Sequence, residues 1–201
     1  MDRKKQIVDE AMRLFSQSGY DGVTIKQLAK ACGISEPALY RHYASKEAIY
    51  DAVLDSIKLF MSYDGLFEKL DKEPEVRTLF TELASHILGF LNTHHQLYRL
   101  LLYSALHDHS KARKIFRELR VPYVKFLMGQ LNKKFSEGKI KKKNNEITAR
   151  CFVGMVFECA LGASLWKGFQ GKRFKPEEVI ANNVPIFIDG LMVDGSDSRK
   201  D

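Results

Sequence analysis

Cysteine is scarce: Cys32, Cys151 and Cys159 are the only three in 201 residues. They cannot all pair, and Cys151 and Cys159, on one helical pattern, would stand about 12 Å apart, too far for a disulfide. Neither a disulfide framework nor an oxidising compartment is implied, so a cytoplasmic location is expected. No apolar run approaches the roughly 18 residues that cross a bilayer, and no membrane partner is expected. The start, Met1-Asp2-Arg3-Lys4-Lys5, leads into a mixed pattern rather than the continuous apolar core of a secretory leader. Nucleotide and hydrolase signatures are missing too. There is no G-x-G-x-x-G and no G-x-S-x-G, and Gly171-Lys172 lacks both the upstream glycine of a phosphate loop and its following Ser or Thr. No acid–base pair stands at helical spacing, so catalysis is not expected and no cofactor is implied. Adjacent His94 and His95 would diverge by about 100° on a helix. His107-x-His109 with Asp108 gathers no cysteine or second carboxylate at ligand spacing, and no metal is expected.

What is present is an ordinary globular balance, 45% hydrophobic and 28% charged. A chain of this length buries about 70% of its unfolded surface. The net charge of +7 is unevenly spread: +2 over residues 1–50, −4 over 51–110, +10 over 111–143 and −1 over 144–201. A basic chain suits nucleic acid, but the sum alone decides little.

Helical periodicity dominates and predicts an all-α fold of about nine helices, with no β-hairpin signal, internal repeat or low-complexity tract. Ile7, Ala11, Leu14 and Phe15 share one face of a first helix, which Gly19 stops. Thr24 and Gln27 form a capping-box pair opening a second helix, which Gly33 ends. Ser35 caps a short third helix reaching Tyr43. Ser45 caps a fourth to roughly Met61, with Ala48, Ala52, Val53 and Ile57 inward. Asp64 to Pro74 is polar and reads as a connection. Val76, Leu79, Phe80, Leu83, Ile87, Phe90 and Leu91 make a strong stripe. Leu97 to Leu106 is apolar nearly all round. Lys111 to Phe135 follows, with Pro122 expected to kink or divide it. Gly138 and a basic loop, Lys139 to Lys143, lead to a helix from Asn145 to about Lys167. Pro176 opens the last helix, to about Met192, with Pro185 inside it. The tail from Gly195 to Asp201 is expected to fray.

Residues 24–43 carry the most specific signal. Two short helices joined by a tight turn can set the second in a DNA major groove. Ile25, Leu28 and Ala29 give the first an apolar face, and Ala29 is small enough for a close crossing. Gly33 can take the positive φ of the turn. Ile34 and Leu39 plug the motif onto its support, which leaves Glu36, Pro37, Tyr40 and Arg41 outward. A plain helical hairpin shares these features. Tyr40 and Tyr43 lie where a hydroxyl reaches phosphate, although Tyr43 also suits a core. Lys46, in the first turn of the fourth helix, opposes the helix dipole at a cost on the order of a few tenths of a kcal/mol. A bound anion such as a DNA phosphate would reverse that sign; the alternative is a lysine pointing into water.

The stretch from Ile7 to Leu54, about a quarter of the chain, resembles the TetR family of transcriptional regulators. The matching residues are Ala11-x-x-Leu14-Phe15, Gly19-Tyr20, Thr24-Ile25, Leu28-Ala29, Gly33-Ile34-Ser35, Leu39-Tyr40-x-His42-Tyr43 and Ser45-Lys46-Glu47. The resemblance implies a three-helix helix-turn-helix DNA-binding domain over residues 1–46 and a ligand-binding and dimerisation domain over 47–201. It implies a homodimer on a palindromic operator, released by a small-molecule inducer, with repression as the expected direction. By position, Lys26, Glu36, Pro37, Ala38 and Arg41 would face bases. Thr24, Tyr40, His42 and Lys46 would hold phosphate, with Arg3 to Lys5 as a basic arm. Ser35 and Tyr43 complete the expected DNA-binding set. Glu36 must accept from cytosine or turn away, and Ala38 offers only a methyl contact.

The resemblance also places dimerisation on the last two long helices. Gly154, Ala160, Gly162 and Ala163 would allow close approach. The expected interface is Phe152, Val156, Ala160, Ala163, Ile180, Val184, Phe187 and Leu191, with packing inside one chain as the alternative. Candidate pocket residues are Phe90, His94, Tyr98, Leu101, Tyr103, Phe126, Cys151, Met155 and Trp166, all of which also suit a core. Glu158 could pair a cationic ligand or an arginine, or lie exposed. Arg113, Arg117 and Arg120 recur at i, i+4 and i+7, opposite Ile115 and Leu119. They read as a solvated face, or as an entrance for an anionic amphiphile such as a fatty-acyl thioester or an acidic metabolite. The competing function is a helical protein-interaction adaptor, or a small-molecule-binding protein without a DNA role.

Overall fold

The computed structural model describes residues 2–60, 63, 65–73, 75–164 and 174–193, with the side chains of residues 59, 60, 163 and 164 outside that description. Among the described residues there are ten helices and no strand. They are α1 (Arg3–Ser18), α2 (Ile25–Ala31), α3 (Glu36–Tyr40), α4 (Lys46–Phe60), α5 (Leu66–Asp71), α6 (Val76–Thr93), α7 (His95–Leu106), α8 (Ser110–Ser136), α9 (Asn145–Ser164) and α10 (Pro176–Leu191). None is long and apolar enough to cross a membrane.

The extra helix is α5, within the stretch expected to be a connection. It has six residues and a single buried side chain, Leu70, so it leaves no periodic stripe. Its C-terminal end is held from far along the chain. Gln130 Nε2 donates to Asp71 Oδ1 at 2.7 Å, and Lys134 Nζ to the Glu73 carbonyl at 2.7 Å. The third helix is shorter than expected and stops at Tyr40. The Leu39 carbonyl takes both the His42 N–H (2.9 Å) and the Tyr43 N–H (3.1 Å), which closes the chain into a turn. Pro122 does not divide α8, a continuous helix of 27 residues in which it removes one donor. The stripe ending at Leu91 and the helix from Leu97 are separate, as expected, with the break at His94, which lies between α6 and α7 at φ −111° and ψ 34°. The expected helix ends at Met61 and Lys167, and the tail from Gly195 to Asp201, lie outside the described residues.

Contacts divide the chain into two compact units, Met1–Ser62 with His94–Leu119, and Tyr63–Thr93 with Arg120–Asp201. In the first, α1 packs against α4 and α7. Ile7, Ala11, Leu28, Leu39, Ile49, Val53, Leu100 and Leu101 are fully enclosed. Each large aliphatic side chain so removed from water contributes roughly 1.5–3 kcal/mol. Phe15 meets Tyr50 edge to face at 5.2 Å, and Tyr20 meets Tyr50 at 4.8 Å. Lys111 Nζ ties the start of α8 to α4 through Asp55 Oδ2 (2.9 Å) and Asp51 Oδ1 (3.3 Å).

In the second unit, α6 packs against both α9 and α10. Phe80, Phe152 and Phe187 form its aromatic centre, with Phe80–Phe152 at 4.5 Å and Phe152–Phe187 at 5.1 Å. The last residue of α10 meets the basic loop, where the Lys141 N–H reaches the Leu191 carbonyl at 2.7 Å.

Candidate nucleic-acid interface

The geometry of the head follows from local chemistry. Thr24 Oγ1 accepts the Gln27 N–H at 3.2 Å, and Gln27 Oε1 accepts the Thr24 N–H at 2.7 Å, so both halves of the capping box form. At the far end of α2, the Cys32 N–H reaches the Leu28 carbonyl (3.1 Å) and the Ile34 N–H the Ala29 carbonyl (3.0 Å). That closure needs a left-handed residue, and Gly33 supplies it at φ +66°. Nothing lies within 4 Å of where its Cβ would stand, so backbone angle alone selects the glycine. Ser35 Oγ then accepts the Ala38 N–H at 3.3 Å, and Pro37 occupies the first turn of α3, where its missing N–H costs nothing. Leu28 and Leu39 are fully buried, with Ala29 and Cys32 at 2% exposure. Burial pushes the Cys32 thiol up, so it is a packing group rather than a nucleophile.

This packing leaves Thr24, Lys26, Ser35, Glu36, Pro37, Tyr40 and Arg41 exposed, and Ala38, His42, Tyr43 and Lys46 half-buried. Arg3, Lys4 and Lys5 are exposed in the first turn of α1. Burial raises the Tyr43 phenol, in keeping with a side chain that belongs partly to the core. Gln27 and Lys30 are also exposed on α2. Lys30 stands one turn beyond Lys26, so the spacing alone sets both cations on one face of α2.

Lys46 differs from the other cations of the head. Its Nζ donates to the carbonyls of Tyr20 and Val23, both at 3.0 Å, and lies 4.1 Å from the centre of the Tyr20 ring. Two of its three ammonium protons are thereby engaged. The Tyr20 hydroxyl donates to the Glu47 carboxylate. That bond, helped by a backbone N–H and by Ser45, holds the Glu47 carboxyl down at about 2. Burial first, and then Glu47, pushes the Tyr20 phenol well above its ordinary value. Lys46 therefore braces the loop between α1 and α2 against the start of α4.

Two residues of α7 also seat the head. Tyr103 lies against Gly19, at φ +71°, where an added Cβ would come within 2.4 Å of the tyrosine ring. Ser104 Oγ bonds the hydroxyl of Tyr50, a residue of α4 only 2% exposed.

The candidate pocket residues are shared between the two units. In the first, Tyr98 and Leu101 are buried, His94 is half-buried and Tyr103 is 43% exposed. In the second, Phe90, Phe126 and Met155 are half-buried and Cys151 is exposed. Phe126 stacks on Phe67 at 4.5 Å. Trp166 lies outside the described residues, and Glu158 is exposed. The three arginines at helical spacing line two different clefts. Arg113 and Arg117 border one of about 600 Å³ with Leu102, Ala105, Leu106, Ser110 and Phe116. Arg120 borders one of about 400 Å³ with Val121, Val124, Lys125, Met128, Glu146 and Arg150. Among the described residues no group of three or more His, Cys, Asp or Glu side chains is placed to hold a metal.

Of the residues assigned to a dimer face, Phe152, Val156, Ala160, Val184 and Leu191 are buried within the second unit. Ile180 and Phe187 are half-buried, and the Ala163 side chain is outside the description. The large apolar side chains exposed on α9 and α10, among the described residues, are instead Ile147, 57% exposed, and Ile186, 64% exposed. The two helices are linked by Asn183 Nδ2, 3.1 Å from Met155 Sδ.

Residues 7–53 match the family model described as bacterial regulatory proteins, tetR family. Over 60 residues the chain is 42% identical to IcaR of Staphylococcus aureus, a negative transcriptional regulator of the biofilm operon icaADBC, covering 30% of this chain. That match spans only 31% of the length of IcaR. A longer match, 22% identical over 166 residues, covers 79% of this chain and 84% of YhgD, an uncharacterised HTH-type transcriptional regulator of Bacillus subtilis. Among solved structures, the transcriptional regulator FadR from Bacillus subtilis, in complex with stearoyl-CoA, superposes with a TM-score of 0.66. That likeness is at 17% identity and covers 92% of this chain and 98% of the other.

Proposed function

We propose that this chain, whose residues 7–53 match the tetR family model and whose fold is shared with solved TetR-family regulators, is a ligand-responsive transcriptional repressor. It binds a palindromic operator as a homodimer and leaves it when a small molecule binds. The observation that carries this reading is the short α3, which is anchored by Leu39 alone and presents Glu36, Pro37, Tyr40 and Arg41 to solvent.

Arg41 is the residue suited to a bidentate bond to guanine, with Lys26, Pro37 and Ala38 beside it at base edges. Glu36 accepts from a cytosine amine or turns aside. Thr24, Ser35, Tyr40 and His42 offer hydroxyl or imidazole donors to phosphate, and Arg3 to Lys5 add positive charge. Lys46, held on two carbonyls, serves by positioning the loop rather than by touching the duplex, and Tyr43 serves mainly by packing. The link to a ligand runs through α7. A shift of this helix moves Tyr103 off Gly19 and Ser104 off Tyr50, and so reorients α1 and α4. Tenfold weaker DNA binding needs only about 1.4 kcal/mol of such coupling.

For the homodimer we propose the outer strip of α9 and α10, with Ile147, Cys151, Met155 and Ile186, since Phe152, Val184 and Leu191 already serve the core of their own chain. An anionic amphiphile is the inducer class we favour, supported by the cleft in which Arg113 and Arg117 stand beside apolar side chains and by the stearoyl-CoA bound to FadR. Repression accords with the negative regulation named for IcaR.

The test is an electrophoretic shift with the promoter DNA beside the chain's own gene, against a scrambled duplex. Selective retardation that Arg41→Ala abolishes is expected. Equal retardation of both duplexes would overturn the reading.

A further inference from the structure

The groove between α7 and the start of α8 combines an apolar floor with a cationic rim. Its volume of about 600 Å³ falls within the roughly 300–1,000 Å³ of small-molecule sites. Leu102, Leu106 and Phe116 line the floor, while Arg113 and Arg117 stand at the edge. Leu106 is 74% exposed, so the fold gives this leucine little cover. The two arginines are one helical turn apart, about 6 Å, within reach of a single anion. Asp108 already pairs with Arg113 at 2.9 Å. Arg117 has no ion pair among the described residues. The rim therefore carries one uncompensated positive charge.

We propose that this groove binds the chain of a fatty-acid carboxylate, with the head at Arg117 and Arg113 and the tail over Leu102, Leu106 and Phe116. One residual charge matches a monoanionic head, and it under-matches the multiply charged head of an acyl-coenzyme A. The effect on DNA rests on the regulatory reading given above; the binding itself does not. Leu102 adjoins Tyr103 and Ser104, the two residues that seat α1 and α4. A chain wedged between α7 and α8 thus acts on the helix that positions the head.

The test is calorimetric titration of the full chain, without DNA, with sodium octanoate, decanoate and laurate below their micelle concentrations. One saturable site per chain is expected, tightening roughly three- to fourfold for each methylene that finds cover. Arg117→Gln should weaken laurate about tenfold or more, as expected for a lost charge-assisted pair. Leu106→Glu should abolish binding, since it removes floor and repels the head. Both positions are exposed, and a thermal melt of each variant checks that it folds. Arg150→Gln, in the other cleft, should bind laurate as the parent does. Absent or unsaturable binding, affinity flat with chain length, or parental binding by Arg117→Gln and Leu106→Glu would each overturn the proposal. So would tighter binding of lauroyl-CoA that ignores both variants, or a dimer that Leu106→Glu dissociates, which would assign the groove to a second copy. Laurate addition to the promoter shift separates the two readings. Groove binding with no operator binding at all supports the groove and ends the regulator. Operator binding without any laurate site does the reverse.

Discussion

Replacing Lys46 by methionine keeps the aliphatic stem and removes three donors and a charge. Two hydrogen bonds to carbonyls, each at 3.0 Å, are lost. Bonds to charged groups contribute about 1.5 kcal/mol or more apiece. Because Lys46 is half-buried, water replaces part of that, and about 2 kcal/mol is a fairer figure. Removing a cation from the first turn of α4 returns roughly 0.3–1 kcal/mol through the helix dipole. The net loss is about 1–2 kcal/mol, or roughly 3–6 °C in Tm for a chain of this size. Circular dichroism melts measure that directly. Binding to the promoter duplex should weaken as well, because the loop behind α2 loosens. The slope of log K against log salt should stay as it was, since no phosphate contact disappears. Lys4→Met, in the exposed basic arm assigned to the sugar–phosphate side, should instead reduce that slope by about 0.9. A Lys46→Met variant with an unchanged Tm and a slope reduced by about one phosphate would refute the bracing role and return the ammonium to the DNA.

Further outcomes follow from the same geometry. Leu39→Ala empties a fully enclosed position and should cost about 2–5 kcal/mol in urea titrations; a loss below about 1 kcal/mol would deny Leu39 its anchoring role. Gly33→Ala meets open space and only an unfavourable φ, for a cost of about 1 kcal/mol, whereas Gly19→Ala meets the Tyr103 ring as well and should cost clearly more. Equal losses would mean that Tyr103 gives way freely. Arg41→Ala should leave the melt unchanged and weaken specific DNA binding at least tenfold, on the order of 1.4 kcal/mol or more. The Glu47 carboxyl, held at about 2 against an ordinary 4.5, stabilises the fold fully above pH 4.5 and loses that contribution as pH falls toward 2. The Tm gap between the parent and Tyr20→Phe should therefore shrink between pH 5 and pH 2.5; a constant gap would sink the coupling.

The parts of this molecule legible in the amino-acid order are those whose partners lie within a few residues. The Thr24–Gln27 box, the Gly33 turn and the Ser35 cap are closed by bonds spanning three to five positions, so residue type and spacing specify them. Residue type and spacing specify nothing where a side chain's partner is backbone or lies far along the chain. Lys46 was expected on phosphate or in water, because the carbonyls of Tyr20 and Val23 leave no mark on a side-chain pattern. The helix α5 has one buried residue and is held by Gln130 and Lys134, about sixty positions away. Periodicity announces that Phe152 and Val184 are covered without saying by what, and in the structure their own chain covers them. The arginines at 113, 117 and 120 fall along one helical stripe, yet Arg113 and Arg117 border a cleft with apolar side chains of α7, while Arg120 lies over the Phe157 ring of α9, 4.9 Å from its centre. A stripe defines a direction on one helix; which chemistry it meets depends on the neighbouring helices, and that is decided by packing.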